Sequence, residues 1–144
     1  MRASFLLAAL ALGVGCGDAR PCSSCPLVGG TYALTLGEFQ GSSEACATLL
    51  PPPAPTSLTL LQSGSVLRAT IGGESYSGTL LDTYDFSLLG AERQVDGGTE
   101  DLHVRGRFIP GAADSGTLRG SFDTTSRRGG RLCDGTQPFT GPRQ

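Results

Sequence analysis

The sequence of 144 residues predicts an all-β domain, most simply a small antiparallel up-and-down β-barrel of about eight strands. From Thr31 onward, apolar side chains alternate with polar or small ones, and turn-forming residues recur between the alternating runs. No stretch has the period of a long helix, and the 22 glycines show no tripeptide repeat. A two-sheet β-sandwich is the alternative, because it has the same strand pattern.

The first strand is predicted at residues 31–36, which alternate as a half-buried strand does. In the long connection that follows, residues 43–50 suit a short helix. Ser42 or Ser43 would be its N-cap, and the prolines from Pro51 onward would end it.

Residues 57–89 are predicted to form a meander of four strands. Directly opposed residues of an antiparallel pair share a face, so a correct turn must match core residues with core residues. Three turns meet this condition: Ser63-Gly64 with Leu60 opposite Leu67, Gly72-Gly73 with Ala69 opposite Tyr76, and residues 81–83 with Leu80 opposite Tyr84.

Three further strands are predicted at residues 101–109, 116–122 and 131–139, with polar loops at 90–100 and 123–130. The first two share an apolar-x-Gly-x-Phe pattern with inward glycines. Inward glycines mark bends in strands, and a closing barrel needs such bends. The layout therefore favours the barrel, and it is similar in architecture alone to the lipocalin- and avidin-type barrels.

The N-terminus has the three parts of an export signal: the positive Met1-Arg2, an apolar run over residues 3–12, and small residues up to Gly15. Leu12-Gly13-Val14-Gly15-Cys16 resembles the lipobox of bacterial lipoproteins, with the leucine one position early. That resemblance implies cleavage before Cys16 and a diacylglyceryl group on its sulfur. Acyl chains such as palmitate would then anchor the protein to a membrane of the bacterial cell envelope.

The predicted organisation is a signal peptide at residues 1–15, a lipidated Cys16 with a tether at 16–30, and one β domain at 31–144. Ordinary secretion, with Cys16 in a disulfide, is the alternative. A formal net charge of −2 gives no reason to expect a nucleic-acid partner.

The remaining four cysteines favour disulfides in an exported protein. In an up-and-down barrel, Cys46 and Cys133 lie at the same end, and Cys22 and Cys25 lie near the other. We therefore predict the pairs Cys46–Cys133 and Cys22–Cys25. A redox role for Cys22-Ser23-Ser24-Cys25 is disfavoured because no βαβ context surrounds it.

No catalytic or metal-binding constellation stands out. His103 is the one histidine and is predicted to lie on the solvent face without a partner. Asp114-Ser115-Gly116 is typical of a turn, since a serine nucleophile also needs a positioned base. We expect a protein that is not an enzyme and needs no cofactor or metal.

Two groups of side chains are candidates for binding. Arginines form a possible face for an acidic partner or glycan. Arg105, Arg107 and Arg119 face outward on neighbouring strands, and Arg127 and Arg128 lie just beyond them. Inward aromatic residues either fill the core or line a cavity: Tyr76, Tyr84, Phe86, Phe108 and Phe122. The expected function is a scaffold or interaction module that binds an unknown envelope protein. The alternative is a barrel that binds a small apolar ligand.

Overall fold

The computed structural model describes residues 19–50, 53–112 and 115–144, so the predicted signal peptide and Cys16 lie outside the described residues. Within them the chain forms, in order, β1 (Gly30–Ala33), β2 (Thr35–Leu36), β3 (Gln40–Gly41), α1 (Glu44–Leu49), β4 (Ser57–Ser63), β5 (Val66–Ile71), β6 (Glu74–Leu80), β7 (Asp85–Gly90), β8 (Arg93–Val95), β9 (Gly98–Pro110), β10 (Gly116–Arg128) and β11 (Arg131–Pro142).

The strands form one nearly closed antiparallel barrel in the order β1-β4-β5-β6-β7-β9-β10-β11-β2. Only Leu34 separates β1 from β2, and these two short strands pair with β4 and β11 respectively. The same stretch of chain therefore bridges both edges of the sheet. Counted as one bent strand, it gives a ring of eight strands, which confirms the predicted fold class.

Strand direction divides the barrel into two ends. The turns β4–β5, β6–β7 and β9–β10 lie at one end, which we call the entry end because the N-terminal segment joins the barrel there. The turns β5–β6, β8–β9 and β10–β11 lie at the other end. Helix α1 packs beside the start of β11 at that end, which we call the helix end.

The meander has the predicted faces, but two of its three registers differ by two residues. The turn at Gly72 and Gly73 places Ala69 opposite Tyr76, as predicted. In the other two turns Ala69 replaces Leu67 opposite Leu60, and Phe86 replaces Tyr84 opposite Leu80. A slip of two residues keeps each side chain on its face, so the parity test does not detect it.

Tyr84 was wrongly predicted to face inward. It lies in the β6–β7 turn with φ of 66°, and its side chain is 39% exposed. Phe86, two residues later, takes the buried place opposite Leu80.

The strands β9 and β10 extend beyond their predicted limits. Residues 123–128, predicted as a turn region, continue β10, and the turn is confined to Gly129 and Gly130. The inward side chains there include Thr124 and Ser126 rather than apolar residues. The alternation in hydrophobicity therefore fades while the strand goes on.

The inward glycines make room for aromatic rings. A Cβ atom on Gly106 would lie 2.7 Å from Cζ of Phe86, and one on Gly120 would lie 2.9 Å from Cζ of Phe139. The rings of Phe122 and Phe139 are 4.8 Å apart between centroids. Aromatic rings thus occupy the space that side chains at Gly106 and Gly120 would fill. The repeated glycines allow these rings to pack inside the barrel.

Helix α1 closes off the helix end beside β11. Ser43 is its N-cap, as predicted, and its Oγ accepts a hydrogen bond from the N–H of Cys46 at 3.2 Å. Cys46 and Leu50 pack with Cys133 and the partly buried Phe39 in a small apolar cluster, separate from the main core.

The predicted tether is shorter than residues 16–30. Arg20 accepts a hydrogen bond from the N–H of Asp82 at 2.9 Å, and the N–H of Cys22 donates to the carbonyl of Leu80 at 3.1 Å. Val28 is buried, and its N–H donates to Oε1 of Gln62 at 2.7 Å. From Arg20 onward the segment thus belongs to the folded barrel.

Candidate functional site

Both predicted disulfides are present. Cys46–Cys133 joins the segment containing α1 to the start of β11, with a Cα–Cα distance of 5.2 Å. Cys22–Cys25 closes a small loop at the entry end, also with a Cα–Cα distance of 5.2 Å. Cys22 precedes no helix and is buried, so the pair lacks the exposed helix N-terminus of a thiol-redox site.

Three arginines of the predicted partner face form ion pairs with aspartates on neighbouring strands. We call this series of pairs the ion-pair ladder. Arg105 contacts Asp123 at 2.7 Å, Arg107 contacts Asp85 at 2.6 Å, and Arg127 contacts Asp101 at 3.0 Å, each across neighbouring strands. Within each pair the aspartate neutralises the arginine. The face therefore has less positive charge to attract an acidic partner than the sequence suggested. Arg119 differs, because it is exposed and forms no ion pair with the residues that the structure describes.

Asp85 is held by two hydrogen bonds from a single arginine of this ladder. Arg107 donates to Oδ1 of Asp85 from Nε at 2.6 Å and to Oδ2 from Nη2 at 2.9 Å, and Thr83 adds a hydrogen bond at 2.7 Å. The bond to Arg107 lowers the pKa of Asp85 below its ordinary value, and partial burial opposes this. The arrangement fixes the position of the β6–β7 turn against β9.

His103 has a partner that the sequence did not reveal. Its Nε2 lies 2.7 Å from Oγ of Ser87 on the neighbouring strand β7, and Asp123 sits opposite it on β10. Burial and then Arg105 lower the pKa of His103, while Asp123 acts in the opposite direction. The expectation of an unpartnered histidine was therefore wrong.

The Ser87–His103 pair lacks the third member of a nucleophilic triad. Asp123 accepts hydrogen bonds from Arg105, Ser121 and Thr136 through both carboxylate oxygens. Its carboxylate is thus engaged elsewhere, whereas a triad needs it on the second nitrogen of the imidazole. The pair serves as a cross-strand link on the outer face. Asp114 of the other triad-like fragment lies outside the described residues.

An ionic cluster surrounds the buried Glu100 at the helix end of the barrel. Glu100 is buried and binds Arg93 at 2.6 Å and Arg128 at 2.9 Å. Arg93 also reaches Glu74 at 3.4 Å, and Glu74 accepts the hydroxyl hydrogen of Tyr76 at 3.0 Å. Burial and this hydrogen bond raise the pKa of Tyr76 to about 12. Arg128 therefore turns inward, which removes it from the predicted partner face.

Next to this cluster lie buried polar atoms without a protein partner. They are Oγ1 of Thr124, Oγ of Ser126, Oε1 of Gln137 and Nε of Arg128. Thr124, Ser126 and Gln137 are each less than 10% exposed and point into the barrel from β10 and β11. Buried polar atoms are normally hydrogen-bonded to protein, water or a ligand, so this inner polar set is a candidate site. The sequence carried no signal for it, because residues 123–127 are all polar and look like a loop.

The other predicted cavity-lining residues belong to the core. Tyr76, Phe86, Phe108 and Phe122 are all at most 4% exposed and pack in the main apolar cluster. The open groove of about 640 Å³ at the entry end is lined by none of them. It lies between the N-terminal segment at Leu27 and strand β4 at Leu61 and Gln62.

Further observations bear on the class of protein. Among residues 19–50, 53–112 and 115–144, no group of three or more His, Cys, Asp or Glu residues is placed to hold a metal ion. In the same residues no helix is long and apolar enough to cross a membrane. No protein-family model, curated protein or solved structure matches the chain.

Proposed function

We propose that the mature chain is a lipid-anchored protein of the bacterial cell envelope whose barrel acts as a non-enzymatic interaction module. The lipobox-like segment ending at Cys16 supports the anchor. The two disulfides are consistent with an oxidising compartment outside the cytoplasm.

The attachment of the N-terminal segment favours one orientation. Cys16 and Arg20 are four positions apart, and Arg20 is already bonded to the β6–β7 turn. Four extended residues reach at most about 14 Å. A lipid on Cys16 would therefore hold the entry end close to the membrane and direct the helix end away from it.

Exposed leucines beside the Cys46–Cys133 disulfide are the observation that carries the interaction role. Leu49 is 45% exposed on α1, and Leu132 is 61% exposed on β11 next to Cys133. Apolar surface held on a rigid support is typical of a protein-binding site.

Site-specific photo-cross-linking in intact cells tests this role. A photoreactive amino acid at Leu132 should form a discrete protein adduct, whereas the same amino acid at Leu61, at the entry end, should not. Leu61 is a matched control because it is 66% exposed and also lies on a strand. Equal adducts at both positions, or none at Leu132, would count against the helix end as the partner surface. Mass spectrometry of the membrane fraction tests the lipid on Cys16.

A second candidate function is the binding of a small molecule inside the barrel. The inner polar set of Thr124, Ser126 and Gln137 favours a small polar ligand rather than the apolar one expected from the aromatic residues. Native mass spectrometry of a Cys16→Ser protein would then detect a bound species. The protein mass alone would indicate that ordered water satisfies these atoms.

A further inference from the structure

Exposed apolar side chains are concentrated at the entry end of the barrel. We define the entry rim as Leu27, Leu61, Val66, Tyr84 and Ile109, which are between 39% and 74% exposed. Leu27 lies beside Gln62, because Gln62 hydrogen-bonds both neighbouring residues, at the carbonyl of Pro26 and the N–H of Val28. The others lie in or near the β4–β5, β6–β7 and β9–β10 turns.

The entry rim extends over several neighbouring strands, from the N-terminal segment and β4 to β9, and has no member on β10 or β11. Its members belong to three different turns and to the N-terminal segment, all of which project from the same end. Apolar side chains spread over most of one end of a barrel suit a broad, flat partner. A partner that bound one flank would need only neighbouring strands.

The helix end has a different character. Three exposed carboxylates there, Glu44, Glu92 and Asp96, and one exposed arginine, Arg131, form no ion pair with any described residue. At the entry end, Asp82 and Arg20 are exposed in the same way. Surfaces with anionic lipids repel such carboxylates and accept apolar side chains at the boundary between headgroups and acyl chains. The helix end thus has an excess of unpaired carboxylates that the entry end lacks, which favours the entry end as the side that faces such a surface.

We propose that the entry rim rests on the lipid bilayer, with its apolar side chains at the boundary between headgroups and acyl chains. The inference depends on the proposed anchor at Cys16, which lies at most about 14 Å of chain from Arg20. Tyr84 suits this place because tyrosine is enriched at membrane interfaces. The lipid and the entry rim together give two attachments and hold the barrel upright, so that the helix end faces outward.

Single tryptophan variants test the contact, because the chain contains no Trp and each variant therefore carries one fluorophore. Val66→Trp and Ile109→Trp report on the entry rim. Leu132→Trp and Leu89→Trp are matched controls, since both side chains are similarly exposed but lie away from the entry end. The full lipidated protein is reconstituted into vesicles of phosphatidylethanolamine and phosphatidylglycerol.

The expected result is a shift of the emission maximum to shorter wavelength for both entry-rim variants, with quenching by brominated lipids. The emission maxima of the two control variants should be the same with vesicles as in detergent-free buffer without them. Equal quenching at both ends, or none at the entry rim, overturns the inference. A blue shift without vesicles that accompanies dimer formation in sedimentation also overturns it, since a second copy would then cover the entry rim.

The test separates this inference from the proposed anchor. Mass spectrometry reports lipidation of Cys16 independently of the fluorescence. If Cys16 carries no lipid in the cell, its thiol, the one cysteine outside the two disulfides, is coupled to a maleimide lipid. The proposed anchor then fails while the entry rim is still tested in the same vesicles.

Discussion

At the scale of single residues, His103 offers a direct test of the outer face. It is the one histidine of the chain, so its imidazole signal in proton NMR needs no assignment. Burial and Arg105 disfavour the charged form, so the titration midpoint should lie below the ordinary value of about 6.5. Arg105→Gln should raise the midpoint, because it removes the neighbouring positive charge.

The matched control for this titration is Arg119→Gln, which removes an exposed arginine from the next strand. It should leave the midpoint of His103 almost unchanged. Because folding lowers this pKa, the unfolded chain binds the proton more readily. The contribution of neutral His103 to the free energy of unfolding is therefore fully present above about pH 6.5. It is lost as the pH falls through the pKa of the folded state. A titration midpoint at or above 6.5 in the unmodified protein would contradict the predicted lowering of the pKa of His103.

Residue-level prediction from the sequence succeeded for faces and failed for registers and partners. Alternation identified Leu58, Leu60 and Leu67 as core residues, and all are at most 1% exposed. It misplaced Tyr84 because a turn longer by two residues preserves the parity of every later residue. It missed Ser87 as the partner of His103 because that contact depends on the register between β7 and β9, strands that are separated in the chain by β8.

At the scale of elements, the Cys46–Cys133 disulfide holds the α1 segment to β11 and closes a loop of 87 residues. Replacing both cysteines with alanine should lower the free energy of unfolding by about 4.6 kcal/mol in the chain-entropy estimate. Urea titration followed by circular dichroism measures this loss. We expect the small apolar cluster with Leu50 and Phe39 to loosen first, because the disulfide is part of it.

The control for the disulfide is the double replacement of Cys22 and Cys25 by alanine. That bridge spans three positions, so the same estimate gives a loss of only about 2 kcal/mol. Equal losses from both double variants would show that loop length does not govern the effect.

At the scale of elements, the sequence predicted those features that follow from the order and direction of the strands. The Cys46–Cys133 pairing followed from two segments lying at the same end of an up-and-down barrel. The length of β10 did not follow, because Thr124 and Ser126 on its inner face look like loop residues in a sequence. An apolar alternation can reveal only those parts of a strand that border an apolar interior.

At the scale of the whole molecule, the sequence left barrel and sandwich as alternatives because both have alternating strands. The difference lies in one stretch of chain, where β1 pairs with β4 and β2 pairs with β11 on either side of Leu34. Closure therefore depends on long-range pairing of a short, weakly patterned segment. Tyr32, which is fully buried and donates its hydroxyl hydrogen to the carbonyl of Val28 at 2.6 Å, fixes that segment to the core.

Truncation tests whether this stretch is required for a single closed barrel. A chain that starts at Glu38 lacks β1 and β2 but keeps β3 on β11. The edge of β4 and the part of β11 at Phe139 and Thr140 are then unpaired and should pair between molecules. We expect light scattering after size exclusion to show self-association, and an added peptide of residues 27–37 to restore the monomer by occupying both edges.

A chain that starts at Leu27 keeps both strands and should stay monomeric despite losing the Cys22–Cys25 disulfide. A monomeric Glu38 chain with an unchanged β-sheet spectrum would mean that β4 and β11 are held without the closing strand.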